Sequence, residues 1–200
     1  NYSDYVKAMF DMPMLNEPGT EFAYCSICSV ALGAVVENAV GEQLEDYADE
    51  HLFTPLGIES AEIVETPVGR AHMGGGMMMS ARDMGKFGQL YLQDGVWEEQ
   101  RILPEGWVED STYEHVVFSG MYASMGDGYG YQWWVENYED EGESLGIYAA
   151  KGYGGQYIFV WPDQGAVVVF HGNNWGTSGN YTPDFGPVVL DEFIIPAFGL

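Results

Sequence analysis

Residues 151–173 read KGYGGQYIFVWPDQGAVVVFHGN. Within them, GQYIFVWP (155–162) and AVVVFHGN (166–173) are dominated by β-branched and aromatic residues, and PDQG turns the chain between them. That is the pattern of two strands in a hairpin. Working outward, SLGIYAA (144–150) and GYGYQWWVENY (128–138) have the same character, with NYEDEGE and KGYG as turns. Such a run of hairpins is most economically an antiparallel sheet. Trp133 and Trp134 alternate on their strand, so one is expected to face a core and the other to line a cleft. The end of the chain, PDFGPVVLDEFIIPAF (183–198), is expected to return as a helix.

Upstream the periodicity is helical. Residues 3–12 form a short helix capped by Ser3 or Asp4 and stopped by Pro13. NEPGTEF (16–22) is a turn. An apolar helix then runs from Ser26 to about Val40, with Gly41 as its terminating glycine, and a second follows at about 42–53. Ser80-Ala81-Arg82-Asp83 has the form of a capping box. It opens a helix over about 81–93 with Met84, Phe87, Leu90 and Tyr91 on one face. A further short helix starts at Pro104. Helices first and strands later give an α+β chain, mainly helical over 1–125 and sheet plus terminal helix over 126–200.

Composition narrows the function. The 200 residues suffice for one sizeable core. Six basic residues stand against 31 acidic ones, a net charge of −25. That surface repels nucleic-acid phosphates and anionic lipid heads, so neither is expected as a partner. The scarcity of lysine (Lys7, Lys86, Lys151) alongside so much acid points to a salt-rich setting. No apolar run reaches the length of a membrane span.

Cys25 and Cys28 lie in YCSICS (24–29), a C-x-x-C spacing. A redox pair would need an exposed, low-pKa thiol at a helix N-terminus, and no preceding strand of a βαβ unit is present. Zinc would need two more ligands, and His51, His72, His115 and His171 are scattered. The default is two small core-facing residues, and an oxidoreductase would be excluded by unchanged activity in Cys25→Ser. Gly74-Gly75-Gly76 lacks the strand and lysine of a phosphate loop and reads as a tight turn. Met77-Met78-Met79 reads as packing. No metal or organic cofactor is implied.

The ordered set EPGTEFAYCS, LGAVVE, HLFTPLGI, GGGMMMSARDMGKFGQLYLQDGVW, RILPEGWVED, GYGYQWW and KGYGGQYIFVWPD resembles the serine β-lactamase-like superfamily. Its members include class C β-lactamases, D-alanyl-D-alanine carboxypeptidases, esterases and 6-aminohexanoate-dimer hydrolases. The resemblance covers nearly the whole chain and implies a β-lactamase/transpeptidase-like fold, an antiparallel sheet flanked by helices beside a helical region. It also implies a small-molecule ester, amide or lactam substrate cleaved through an acyl-enzyme. Tyr24-Cys25-Ser26 falls at the family's tyrosine motif, where Tyr24 would relay a proton and Ser26 would be its hydrogen-bonding neighbour. The oxyanion-binding backbone would lie at Ala150, within Ala149 to Lys151, and Lys151 is a candidate anion contact. The family's S-x-x-K motif has no counterpart here: no serine is followed by lysine three positions on. The expectation is therefore a C-terminal fragment, residues 1–200 of one β-lactamase-like domain, whose N-terminal portion and nucleophile are missing. A non-catalytic binding module or pseudoenzyme is the competing reading. Family habit implies a periplasmic or secreted location, with a cytoplasmic one open. Nothing in the sequence reads on oligomeric state.

Overall fold

The computed structural model describes residues 3–136, 138–173 and 185–199. The chain divides into two compact units, Asn1–Asp83 and Met84–Leu200.

In the first unit, α1 (Tyr5–Asp11) is capped by Asp4, whose carboxylate accepts the Lys7 amide at 3.0 Å. The longest helix, α2 (Ser26–Val40), starts at Cys25 and ends at Gly41, whose φ of 82° is the left-handed conformation that closes a helix. Next, α3 (Leu44–Ala48) runs into a π-helical turn over Asp49–Phe53. A two-stranded ribbon pairs β1 (Glu62–Ile63) with β2 (Met77–Met78).

At the unit boundary lies α4 (Ala81–Leu92). Its capping box is half as expected: Ser80 Oγ accepts the Asp83 amide at 3.2 Å. Ser60 joins it, donating its hydroxyl to Asp83 at 2.5 Å and accepting the Ser80 amide at 2.8 Å.

The second unit is organised by a six-stranded antiparallel sheet. A small ribbon, β3 (Val96–Trp97) with β4 (Gln100–Arg101), and α5 (Trp107–Thr112) precede it. The sheet then takes β5 (Val116–Val117), β6 (Gly128–Tyr129) and β7 (Trp134–Val135), followed by an acidic ribbon of β8 (Glu139–Asp140) and β9 (Glu143–Ser144) outside the sheet. Its long strands are β10 (Tyr148–Gly152), β11 (Gln156–Trp161) and β12 (Ala166–His171). The spatial order is β12-β11-β10-β7-β6-β5. The chain continues through α6 (Phe185–Val189), a π-helical stretch at Leu190–Ile194 and α7 (Ile195–Ala197), the expected terminal helix in three parts. Residues 183 and 184 of that expectation lie outside the described residues.

Alternation along β10 and β11 builds two cores. Tyr148, Ile158 and Val160 pack with Tyr91 and Trp133, and with Met84 and Phe87 of α4. Ala149, Tyr157, Phe159 and Trp161 pack with Ile147, Leu190 and Ile195 on the other face. Helix α4 approaches the sheet closely at Gly88, where a Cβ would stand 2.6 Å from Val167 and 2.7 Å from Ile158.

Three sequence expectations change. Segment 128–138 is a tight hairpin, with Tyr129 paired to Trp134 and a left-handed Gln132 (φ 68°) in the bend. Its Asn137 is outside the described residues. Trp133 and Trp134 are both buried, so neither lines a cleft. They do point to opposite faces, and both faces are covered: Trp133 packs on Tyr91 and Tyr148, Trp134 on Phe118 and Tyr129. The sheet also begins earlier than residue 126, at Val116.

Candidate active site

The four residues selected from sequence divide two and two: Tyr24 and Ser26 in the first unit, Ala150 and Lys151 in the second. Tyr24 immediately precedes α2 and is 50% exposed. Ser26 is the first helical residue and is exposed. Between them, Cys25 caps the helix, its Sγ accepting the Cys28 amide at 3.2 Å. The same sulfur is bonded to Cys28. This corrects the expectation of two core-facing thiols: Cys25 is half-buried, Cys28 is exposed, and the pair is a disulfide in the first turn of α2.

The glycine-rich stretch does more than turn the chain. It runs down one face of α2. A Cβ on Gly74 would lie 2.4 Å from the Ser26 carbonyl oxygen, so only glycine fits there without displacing the backbone beside Tyr24. Further along, a Cβ on Gly33 would meet Met73 at 2.8 Å. Arg70 then reaches Glu37 at 2.6 Å, where Glu37 is buried. Residues 26, 33 and 37 recur at helical spacing, which is why one loop can follow them. Sequence reading missed this contact because its partners lie far apart in the chain; the spacing of Ser26, Gly33 and Glu37 was the available signal.

In the second unit, β10 pairs with β11 along its length, from Tyr148↔Val160 to Gly152↔Gln156. Its ladder with β7 covers only Tyr148↔Val135 and Ala149↔Trp134. The Glu136 amide donates to the Ile147 carbonyl at 3.0 Å on the β7 side. In an antiparallel strand the N–H and C=O of one residue share an edge, and edges alternate with residue number. Ala149 and Lys151 therefore direct their backbone groups toward the β7 edge, and Ala150 directs its own toward β11. Beyond Ala149 that β7 edge has no ladder partner among the described residues. Gln156 ties the start of β11 to the end of β12. Its side-chain amide donates to the Gly172 carbonyl at 2.6 Å and accepts the Gly172 amide at 3.1 Å.

The Lys151 side chain is mostly buried and paired. Its Nζ lies 2.6 Å from a Glu136 carboxylate oxygen, donates to the Met125 carbonyl at 2.9 Å and sits over the Trp134 ring. An incoming anion would have to compete with Glu136. Glu136 is only 4% exposed. Burial pushes its carboxyl above the ordinary range, outweighing the lowering by Lys151, and Asp127 adds to the rise. Nearby phenols are held in the protonated form: burial, then Tyr91 and Asp94, pushes Tyr148 up, and burial, then Glu136 and Asp191, does the same at Tyr138. Among the described residues, no group of three or more His, Cys, Asp or Glu side chains could hold a metal ion. No helix among them is long and apolar enough to cross a membrane.

With this geometry in hand, comparison identifies the class. The family model described as beta-lactamase matches residues 1–187, and the chain belongs to that family. It is 29% identical over 155 residues to the 6-aminohexanoate-dimer hydrolase of Paenarthrobacter ureafaciens, spanning 74% of this chain and 38% of that protein. It is 24% identical over 222 aligned positions to penicillin-binding protein 4 of Amycolatopsis lactamdurans, spanning 94% of this chain and 56% of that protein. The solved structure of a β-lactamase from Mycobacterium bovis shares the fold at a TM-score of 0.72 and 19% identity, over 93% of this chain and 68% of that one. The chain thus spans well under two thirds of both curated relatives.

Proposed function

We propose that this chain belongs to a serine hydrolase that cleaves an ester or amide bond through an acyl-enzyme. The position of Tyr24-Cys25-Ser26 carries the reading: a half-exposed phenol at the start of a long helix, in a chain of the beta-lactamase family. In this reading the nucleophilic serine and its lysine lie outside these 200 residues. The serine attacks the carbonyl, and Tyr24 takes its proton and returns it to the leaving group. Ser26 holds the Tyr24 hydroxyl or the substrate by hydrogen bonding. The oxyanion donor is a backbone N–H of β10, and strand parity favours Lys151 over Ala150 because its N–H faces the edge without a ladder partner. Lys151 and Glu136 then act beneath the strand and need not touch the substrate. The disulfide supports a periplasmic or secreted location, since such bonds persist in oxidising compartments.

The test uses the full-length protein and two active-site probes, a fluorophosphonate and a penicillin. Labelling by the first and not the second is the expected esterase or amidase outcome. Tyr24→Phe should lower kcat/KM at least about a hundredfold. Wild-type turnover in that variant removes the proton relay, and no labelling by either probe favours the non-catalytic module.

A further inference from the structure

We propose that the Cys25–Cys28 disulfide is a redox-active site that exchanges with external dithiols and thereby sets the order of the Tyr24–Ser26 segment. The exchange itself stands apart from the hydrolase reading; only its consequence for turnover rests on that reading.

Three observations carry the proposal. The bond spans three residues, and Cys28 already donates its amide to the Cys25 carbonyl at 3.1 Å within the same turn. Cross-linking a fold gains most from long loops, so a bond this short does little to hold the first unit together. Its position is accessible, since Cys28 is exposed and Cys25 half-buried. The leaving sulfur is also provided for. Cys25 Sγ sits at the N-terminus of a 15-residue helix and accepts the Cys28 amide at 3.2 Å. A thiolate released there gains both that hydrogen bond and the helix dipole.

The chemistry balances as thiol–disulfide exchange. A thiolate of a dithiol attacks the exposed Cys28 Sγ and forms a mixed disulfide. The Cys25–Cys28 bond breaks, and Cys25 Sγ leaves with the electron pair. The second thiol of the dithiol attacks its own sulfur in the mixed disulfide and releases Cys28. The protein gains two electrons and two protons, and the dithiol ends as a cyclic disulfide. The bond closes a ring around Ser26 and Ile27 directly after Tyr24, so its loss frees the residues on both sides.

The experiment equilibrates the native protein with dithiothreitol at graded ratios of its reduced and oxidised forms. Free thiols are trapped by alkylation and counted by mass, and amide hydrogen exchange is followed across the chain. The expected result is two alkylated cysteines in folded protein, with exchange accelerated severalfold over residues 22–30 and unchanged in the sheet. A Cys25→Ser/Cys28→Ser double variant should show the reduced pattern at every ratio. Thiols that appear only on global unfolding would overturn the proposal, as would reduction without any change at 22–30. Ester hydrolysis by the full-length protein, followed in parallel, separates the two readings. Redox-dependent exchange with no hydrolysis in either state supports the site and removes the hydrolase reading. Hydrolysis equal in both states, with exchange still altered, supports the exchange and removes its link to Tyr24.

Discussion

Tyr24 and Lys151 are positioned by different means. Tyr24 stands half-exposed, and the order around it is local: a disulfide in the next turn, a cysteine cap and a glycine pressed against the Ser26 carbonyl. Lys151 is held from beneath by a buried carboxylate, a carbonyl and an indole, on a strand paired through its length with β11. In the proposed hydrolase, the side chain that moves a proton needs access to solvent and substrate. A backbone donor needs only a rigid strand, so its side chain is available for structure. The contrast predicts that damage in the second unit shows as lost stability, and damage near Tyr24 as lost turnover.

The largest effect should come from breaking the Glu136–Lys151 pair. Lys151→Met leaves the buried Glu136 carboxylate without its partner and should cost about 4 kcal/mol in denaturant unfolding at neutral pH. Glu136→Gln combined with Lys151→Met removes both charges and should recover most of that loss. If the double variant is no better than the single one, the two residues are not energetically paired.

Ser60→Ala is next, at about 2 kcal/mol, because it removes a donor from the buried Asp83 carboxylate and an acceptor from the Ser80 amide. A loss below about 0.5 kcal/mol would mean that water replaces the hydroxyl, contrary to a cap sealed by Ser60. Gly74→Ala tests the other side of the contrast. Its Cβ should displace the Ser26 backbone and lower ester turnover of the full-length protein about tenfold, or about 1.4 kcal/mol of barrier. Full turnover in Gly74→Ala would show that the glycine contact does not order the segment.

Much of this arrangement was legible in residue order. The strands at 156–161 and 166–171, Gly41 and the apolar face of α4 each follow from a local pattern, and local patterns survive folding. Ordered motifs named the family for the same reason. The disulfide was not legible, because C-x-x-C spacing is equally compatible with free thiols, and only the first-turn geometry brings the sulfurs together. The two tryptophans alternated as expected, but alternation does not say whether a second layer covers the other face. Glu136 with Lys151, and Gly74 with Ser26, are tertiary pairs with no local signature. The register of the proposed oxyanion donor likewise needed the Glu136–Ile147 hydrogen bond, since parity along a strand is invisible until one partner is fixed.

The smallest effect is the pH dependence carried by Glu136, and it decides which force governs the buried pair. Burial raises its folded pKa above the ordinary value of 4.5, against the lowering by Lys151. A raised carboxyl binds its proton more tightly in the folded state, so its contribution to stability is full below pH 4.5. That contribution declines as pH rises through the folded pKa and is flat above it. The slope for one group is at most about 1.4 kcal/mol per pH unit. Thirty other acidic residues are present (31 in total, less Glu136), and their mutual repulsion also acts on stability. The Glu136→Gln/Lys151→Met variant keeps those residues and loses only this pair. The stability of wild type minus that of the variant, measured from pH 4 to 8 at high salt, should therefore fall as pH rises. A difference that grows with pH would mean that attraction to Lys151 outweighs burial, and the pair would be a source of stability for the strand, not a cost carried to position it.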